Sequence, residues 1–214
     1  MASHPIPRIQ TPTPQTPTRM KVLIACEFSG VVREAFTKRG HDATSCDYLA
    51  SEQPFGKHYQ GDMFQIAYGH WDLIIAHPPC TDLAVSGSKY WAEKVKDGRQ
   101  GRAIEFVERI WQLPCPRICI ENPVGALSTR SKLGKPAQYI HPYQFGHPEA
   151  KKTGLWLKNL PPLIPTNELE LPERGYWDNQ TPSGQNKLGP SEDRWKLRAA
   201  TYQGIADAMA SQWG

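Results

Sequence analysis

Three short apolar runs constrain this chain most: Lys21–Cys26 (KVLIAC), Trp71–Ala76 (WDLIIA) and Arg117–Ile120 (RICI). Each is apolar on successive residues rather than alternate ones. That is the pattern of strands covered on both faces, as in parallel sheets. Segments with helical spacing lie among them. Gly30–Arg39 places Val31, Ala35, Val32 and Phe36 on an inner face, and Gly40 ends it. Arg102–Leu113 carries Ile104, Val107, Ile110 and Trp111, and Ala199–Trp213 carries Ile205, Ala208, Met209 and Gln212. Further strands are expected at His41–Cys46, Tyr59–Met63 and Thr153–Leu157. Alternating strand and helix predicts a Rossmann-like, doubly wound, mostly parallel α/β sheet in a single domain over residues 20–214.

Composition narrows the function classes. Twenty of the 214 residues are proline, which excludes a simple helical bundle. Hydrophobic residues at 39% exclude a wholly disordered chain. No run of about 18 apolar residues exists to span a membrane. The net charge of +4 permits a polyanionic partner without requiring one. The five cysteines form no Cys-x-x-Cys pair, and Cys119 lies within an apolar run. They read as reduced thiols in a cytoplasmic protein, without a metal site. Residues 1–19 form a Pro/Thr-rich, low-complexity tail, and no secretory signal is expected.

Doubly wound sheets bind ligands beyond the carboxyl ends of their strands. The informative residues are therefore Glu27–Gly30, Asp47, Gly61-Asp62, His77–Cys80 and Glu121–Pro123. Phe28-Ser29-Gly30 joins a strand to a helix. It is not the G-x-G-x-x-G of dinucleotide binding, since Val31 and Val32 follow, but it suits an adenosyl pocket. Asp47 stands where an acid bonds ribose hydroxyls, and equally where a turn needs an acid. Pro78-Pro79 stiffen the strand exit and present Cys80, a candidate nucleophile or a structural thiol. Glu121-Asn122-Pro123 places a carboxylate at another strand end. A thiol beside a carboxylic acid suits addition to carbon 6 of cytosine, with the acid serving ring nitrogen 3. Carbon 5 then becomes nucleophilic toward a sulfonium methyl donor.

At these residues the chain resembles the cytosine-5 DNA methyltransferases, and in particular the short members found in phages and prophages. Phe28-Ser29-Gly30 resembles the donor loop, Asp47 the ribose acid and Asp62 the adenine-contacting acid. Pro78-Pro79-Cys80 resembles the catalytic cysteine motif, and Glu121-Asn122-Pro123-Val124 the Glu-Asn-Val motif that holds the base. Phe145–Pro148 with Lys151 resembles the later basic motif, and Gly204–Trp213 the closing helix. The resemblance implies S-adenosyl-L-methionine as cofactor and cytosine-containing DNA as partner. It implies Cys80, Glu121, Asn122 and Lys151 as catalytic residues. Phe28, Ser29, Gly30, Asp47, Asp62 and Pro78 would hold the donor. Amino-directed methyltransferases instead carry Asp/Asn/Ser-Pro-Pro-aromatic, where His77 and Cys80 stand here.

The chain also departs from that family. Val31 and Val32 replace glycines, Pro123 interrupts the Glu-Asn-Val motif, and Thr153 occupies the place of a base-supporting arginine. Only residues 160–196, an irregular Pro/Gly-rich insert, stand in for a target-recognition region. A cytosine nucleotide, a single strand, RNA or a non-methyl sulfonium donor are alternatives. A non-catalytic nucleic-acid-binding module is an alternative of another class. Ser86–Arg102 interleaves Lys89, Lys94, Lys96, Arg99 and Arg102 with Tyr90 and Trp91, as a phosphate-contacting surface or a solvated face would. Lys132, Lys135, Lys151 and Lys152 form a second such cluster. Trp156, Trp177, Trp195 and Trp213 read as packing residues.

Overall fold

The computed structural model describes residues 18–183, 186, 187, 189 and 201–214. Seven strands form one sheet: β1 (Lys21–Ala25), β2 (Asp42–Asp47), β3 (Lys57–Gln60), β4 (Leu73–Ala76), β5 (Ile118–Pro123), β6 (Gln138–Ile140) and β7 (Thr153–Lys158). Their spatial order is β3-β2-β1-β4-β5-β7-β6. The first five run parallel, while β7 is antiparallel to both β5 and β6. The architecture is the expected Rossmann-like, doubly wound α/β sheet. The order reverses between β1 and β4, which opens a crevice at their carboxyl ends.

The apolar runs are explained by cover on both faces. In β1, Val22 and Ile24 join one core and Leu23 and Ala25 the other. The first core is closed by α1 (Val31–Lys38) and α6 (Gln203–Trp213), through Val32, Phe36, Met209 and Trp213. The second is closed by α4 (Arg99–Trp111), through Val107 and Ile110, with Ala67 of α2 (Phe64–Ala67) and Leu127 of α5 (Leu127–Arg130). Each such side chain stabilises the fold by ~1.5–3 kcal/mol on burial. Trp156, Trp177 and Trp213 are buried as packing residues, while Trp195 lies outside the described residues.

Several elements differ from expectation. The third strand is Lys57–Gln60 rather than Tyr59–Met63, because Asp62 starts a helix instead: its Oδ1 accepts the Phe64 N–H at 3.0 Å. The polar stretch after β4 is largely helical. It holds a 3₁₀ segment at Val85–Tyr90, α3 (Trp91–Lys96) and the start of α4, which begins at Arg99 rather than Arg102. The last helix is described from Gln203, and residues 199 and 200 lie outside the described residues. Of the tail 1–19, only residues 18 and 19 are described; of the insert, residues 184, 185, 188 and 190–196 are not.

Candidate active site

The loops after β1, β4 and β5 meet at the carboxyl edge. The chain leaves β1 through Cys26, held at φ +59°, and Glu27, which is buried. Glu27 Oε1 accepts the Val32 N–H at 2.7 Å, and Oε2 accepts the Arg33 N–H at 3.3 Å. The amino end of α1 is therefore satisfied by a carboxylate of the chain itself. Burial pushes the Glu27 carboxyl above its ordinary pKa, against the lowering effects of the His77 charge and these two N–H groups. Gly30 caps α1 at φ +74°, and a Cβ there would sit 2.7 Å from Gln53 Cγ and 2.8 Å from the buried Arg33 guanidinium.

The loop after β4 carries His77, Pro78, Pro79 and Cys80. The loop after β5 is bound to it closely. Asn122 is buried, and its Nδ2 donates to Pro78 O at 2.8 Å. Val85 N donates to Val124 O at 2.9 Å, and Ala126 N to Leu83 O at 2.8 Å. Gly125 permits this approach, since a Cβ there would lie 2.0 Å from Leu83 O. Glu121 Oε2 sits 3.0 Å from His77 Nδ1. Burial alone raises the Glu121 carboxyl. The His77 hydrogen bond, the charges of Lys151 and His77, and a hydrogen bond from Thr153 outweigh it and hold the carboxyl below its ordinary pKa.

One pocket is lined by Glu27, Phe28, Ser29, His77, Pro78, Cys80, Glu121, Asn122 and Lys151, among others. It unites all four expected catalytic residues with three of the expected donor residues. A larger cavity of about 810 Å³ shares Cys80, Pro123 and Lys151 with it. Cys80 thus stands where the two meet. Gly30, Asp47 and Asp62 do not line either space. Asp47 closes β2, and Asp62 follows β3. Both carboxylates act on the Cys26 and Cys46 thiols. The other four thiols are held protonated. Burial is the leading cause in each, raising Cys26, Cys115 and Cys119 and pushing Cys46 up to about 12.

Sequence reasoning gave no role to His77, Glu27 or Thr153. The first two follow apolar strands directly, which is the signal that pointed to Cys80 and Glu121. It also missed the far wall of the large cavity, where Asn179 grips the backbone of Ala150 through Oδ1 at 3.1 Å and Nδ2 at 2.9 Å. Tyr202 adds to that wall, its hydroxyl donating to Glu149 at 2.6 Å. The basic stretch after β4 is partly spent within the protein. Lys94 is buried 3.2 Å from Asp82, and Arg99 pairs with Glu93 and Asp97. Lys94 is withdrawn from solvent, whereas Arg99 stays partly exposed. Lys132 is exposed, 4.0 Å from Glu108.

No protein-family model matches the sequence, and no curated protein matches it. One solved structure that resembles the chain is the Entamoeba histolytica methyltransferase EhMeth. The two share 16% sequence identity at a TM-score of 0.47, over 73% of this chain and 60% of that one. This chain thus covers less than two thirds of that structure. A likeness of this degree leaves the reaction to be argued from the site's own geometry.

Proposed function

We propose that the protein transfers a methyl group from S-adenosyl-L-methionine to carbon 5 of cytosine in DNA, with Cys80 as nucleophile. The observation that carries this reading is the position of Cys80. It lines both the pocket containing the Phe28-Ser29 loop and the larger cavity, with Glu121, Asn122 and Lys151 beside it.

The donor side suits a sulfonium rather than a dinucleotide. A pyrophosphate needs bare N–H groups at the helix amino end. Here Glu27 already takes two of them, and its carboxyl favours a cation nearby. Phe28, Ser29 and Pro78 would hold the donor, with Gly30 shaping the turn and Asp47 and Asp62 beyond. When bound, the donor supplies an electrophilic methyl group on a positively charged sulfur.

The chain's own residues supply the rest. Asn122 fixes Pro78 and so the exit angle of the Cys80 loop. Cys80 Sγ adds to ring carbon 6 as the thiolate, and the displaced electron pair is drawn toward nitrogen 3, where Glu121 provides a proton. Lys151 adds positive charge beside the base. After methylation a base takes the carbon-5 proton, the Sγ–C6 bond breaks and the ring is restored.

The test is expression in a host without cytosine methylation, followed by mass spectrometry of its DNA nucleosides. The expected result is 5-methylcytosine with native protein and none with Cys80→Ala. Methylation that persists in Cys80→Ala would overturn the assignment. Modified free cytosine nucleotide or RNA with unmodified DNA would move the substrate.

A further inference from the structure

The end of β1, the end of β4 and the end of β5 lie side by side, since Ala25 pairs with Ala76 and Ala76 with Ile120. The residues just beyond them put an imidazole between two carboxyls: Glu27, His77 and Glu121. The His77 N–H continues the ladder by donating to Ala25 O at 2.9 Å, which fixes the ring's origin. Its side chain is 8% exposed, and Nδ1 lies 3.0 Å from Glu121 Oε2. Nε2 is buried and has no hydrogen-bond partner among the described residues.

A buried nitrogen without a partner costs stability, so the ring is held for its one side-chain bond, to Glu121. The reaction proposed above gives that bond a use, and the inference rests on that reading. Addition of Sγ to carbon 6 needs a proton at nitrogen 3, yet Glu121 is held as a carboxylate. Two groups hydrogen-bond Glu121: the Thr153 hydroxyl, which is too weak an acid to fill that need, and His77 through Nδ1.

We infer that His77 is the proton reservoir of Glu121. As imidazolium it passes the Nδ1 proton to Glu121 Oε2, which hands a proton to cytosine nitrogen 3 as the Sγ–C6 bond forms. His77 becomes neutral, Glu121 returns to carboxylate, and the adduct is an uncharged enamine. Once the methyl group is on, loss of the carbon-5 proton to solvent water and departure of Sγ as thiolate leave a ring protonated at nitrogen 3. That proton returns through Glu121 to His77. His77 acts through Glu121 and is a positioning residue. The titratable groups lining its pockets are Cys26, Glu27 and Glu52 on the donor side, Cys80 on its own loop, Glu121 on β5, Lys151 before β7 and Tyr202 before α6. Glu27 faces it from the β1 side, where the His77 charge acts to lower the Glu27 carboxyl.

The test compares native protein with His77→Asn, whose amide keeps a donor at the Nδ1 position but has no acidic proton. His77→Ala removes both. Methylation of cytosine-containing DNA is followed against pH, with circular dichroism to confirm folding. Native kcat should fall on the alkaline side, where the His77–Glu121 pair no longer holds a proton to give. His77→Asn should lose about 10²-fold in kcat with KM for DNA kept, and should lose that alkaline limb. A second readout needs no substrate: the Glu121 carboxyl, followed by ¹³C NMR, should titrate at higher pH in His77→Ala than in native protein. His77→Asn with the native rate and the native alkaline limb would overturn the inference, and so would a Glu121 titration unmoved by His77→Ala. No cytosine product from native protein at any pH would overturn the reaction, and this role with it.

Discussion

The two sides of the carboxyl edge are built on different plans. Between β4 and β5, the loops bearing Cys80 and Glu121 are bound to each other by Asn122–Pro78, Val85–Val124 and Ala126–Leu83 hydrogen bonds. Beyond β2 and β3, Asp47 and Asp62 each bond an N–H two residues on in their own loop. Tyr48 and Phe55 stand 69% and 81% exposed nearby. Reacting groups held by neighbours on another strand need no rearrangement to meet a base. In the proposed reaction, the more open side is the one the donor would complete.

The sharpest break would come at Cys80. Cys80→Ala should lower single-turnover methylation by on the order of 10³-fold or more, with the melting temperature kept. A melting temperature that falls with the rate would make the thiol structural. Glu121→Gln should cost about 10²–10⁴-fold in kcat. Its stability signature has a definite sign. Because the folded carboxyl titrates below the unfolded one, the ionised Glu121 stabilises the fold above ~pH 4.3, and that contribution disappears as pH falls through the folded pKa. Urea denaturation should therefore separate native protein from Glu121→Gln at neutral pH, with the gap closing toward pH 3.

Gly125→Ala tests the binding of the two loops. Its Cβ would collide with Leu83 O, and we expect a loss of ~1–3 kcal/mol in thermal unfolding, accompanied by lost activity. Gly101→Ala is the control: it lies within α4 with nothing near its Cβ, and should stabilise by ~0.5–1 kcal/mol. Asp47→Ala should give the smallest change in activity, raising KM for the donor about tenfold with kcat kept, as measured by steady-state kinetics. A large fall in kcat instead would mean that the donor side is as closely coupled to the chemistry as the Cys80 side.

The same contrast governs what was legible in the sequence. Central strands such as Leu73–Ala76 bury both faces, so their apolar runs mark them, and the residues following them mark the site. The edge strand Lys57–Gln60 is polar, and Gln138–Ile140 is three residues long; neither carries a periodic signal. Lys94 reads as a surface cation because its partner Asp82 comes from the preceding loop, brought near by a 3₁₀ turn that no apolar pattern announces. The His77–Glu121 pair joins residues 44 positions apart. Only the pairing of β4 with β5 brings them together, so the residue types were visible and their contact was not.

The central claim is that Cys80 bonds to carbon 6 of cytosine. The most direct measurement is intact-mass analysis after incubation with S-adenosyl-L-methionine and DNA containing 5-fluorocytosine. Fluorine cannot leave as the carbon-5 proton does, so the Sγ–C6 bond persists. The account predicts a protein–DNA adduct on Cys80 that is absent in Cys80→Ala. Steady methylation of ordinary cytosine with no adduct on the fluorinated base would contradict it.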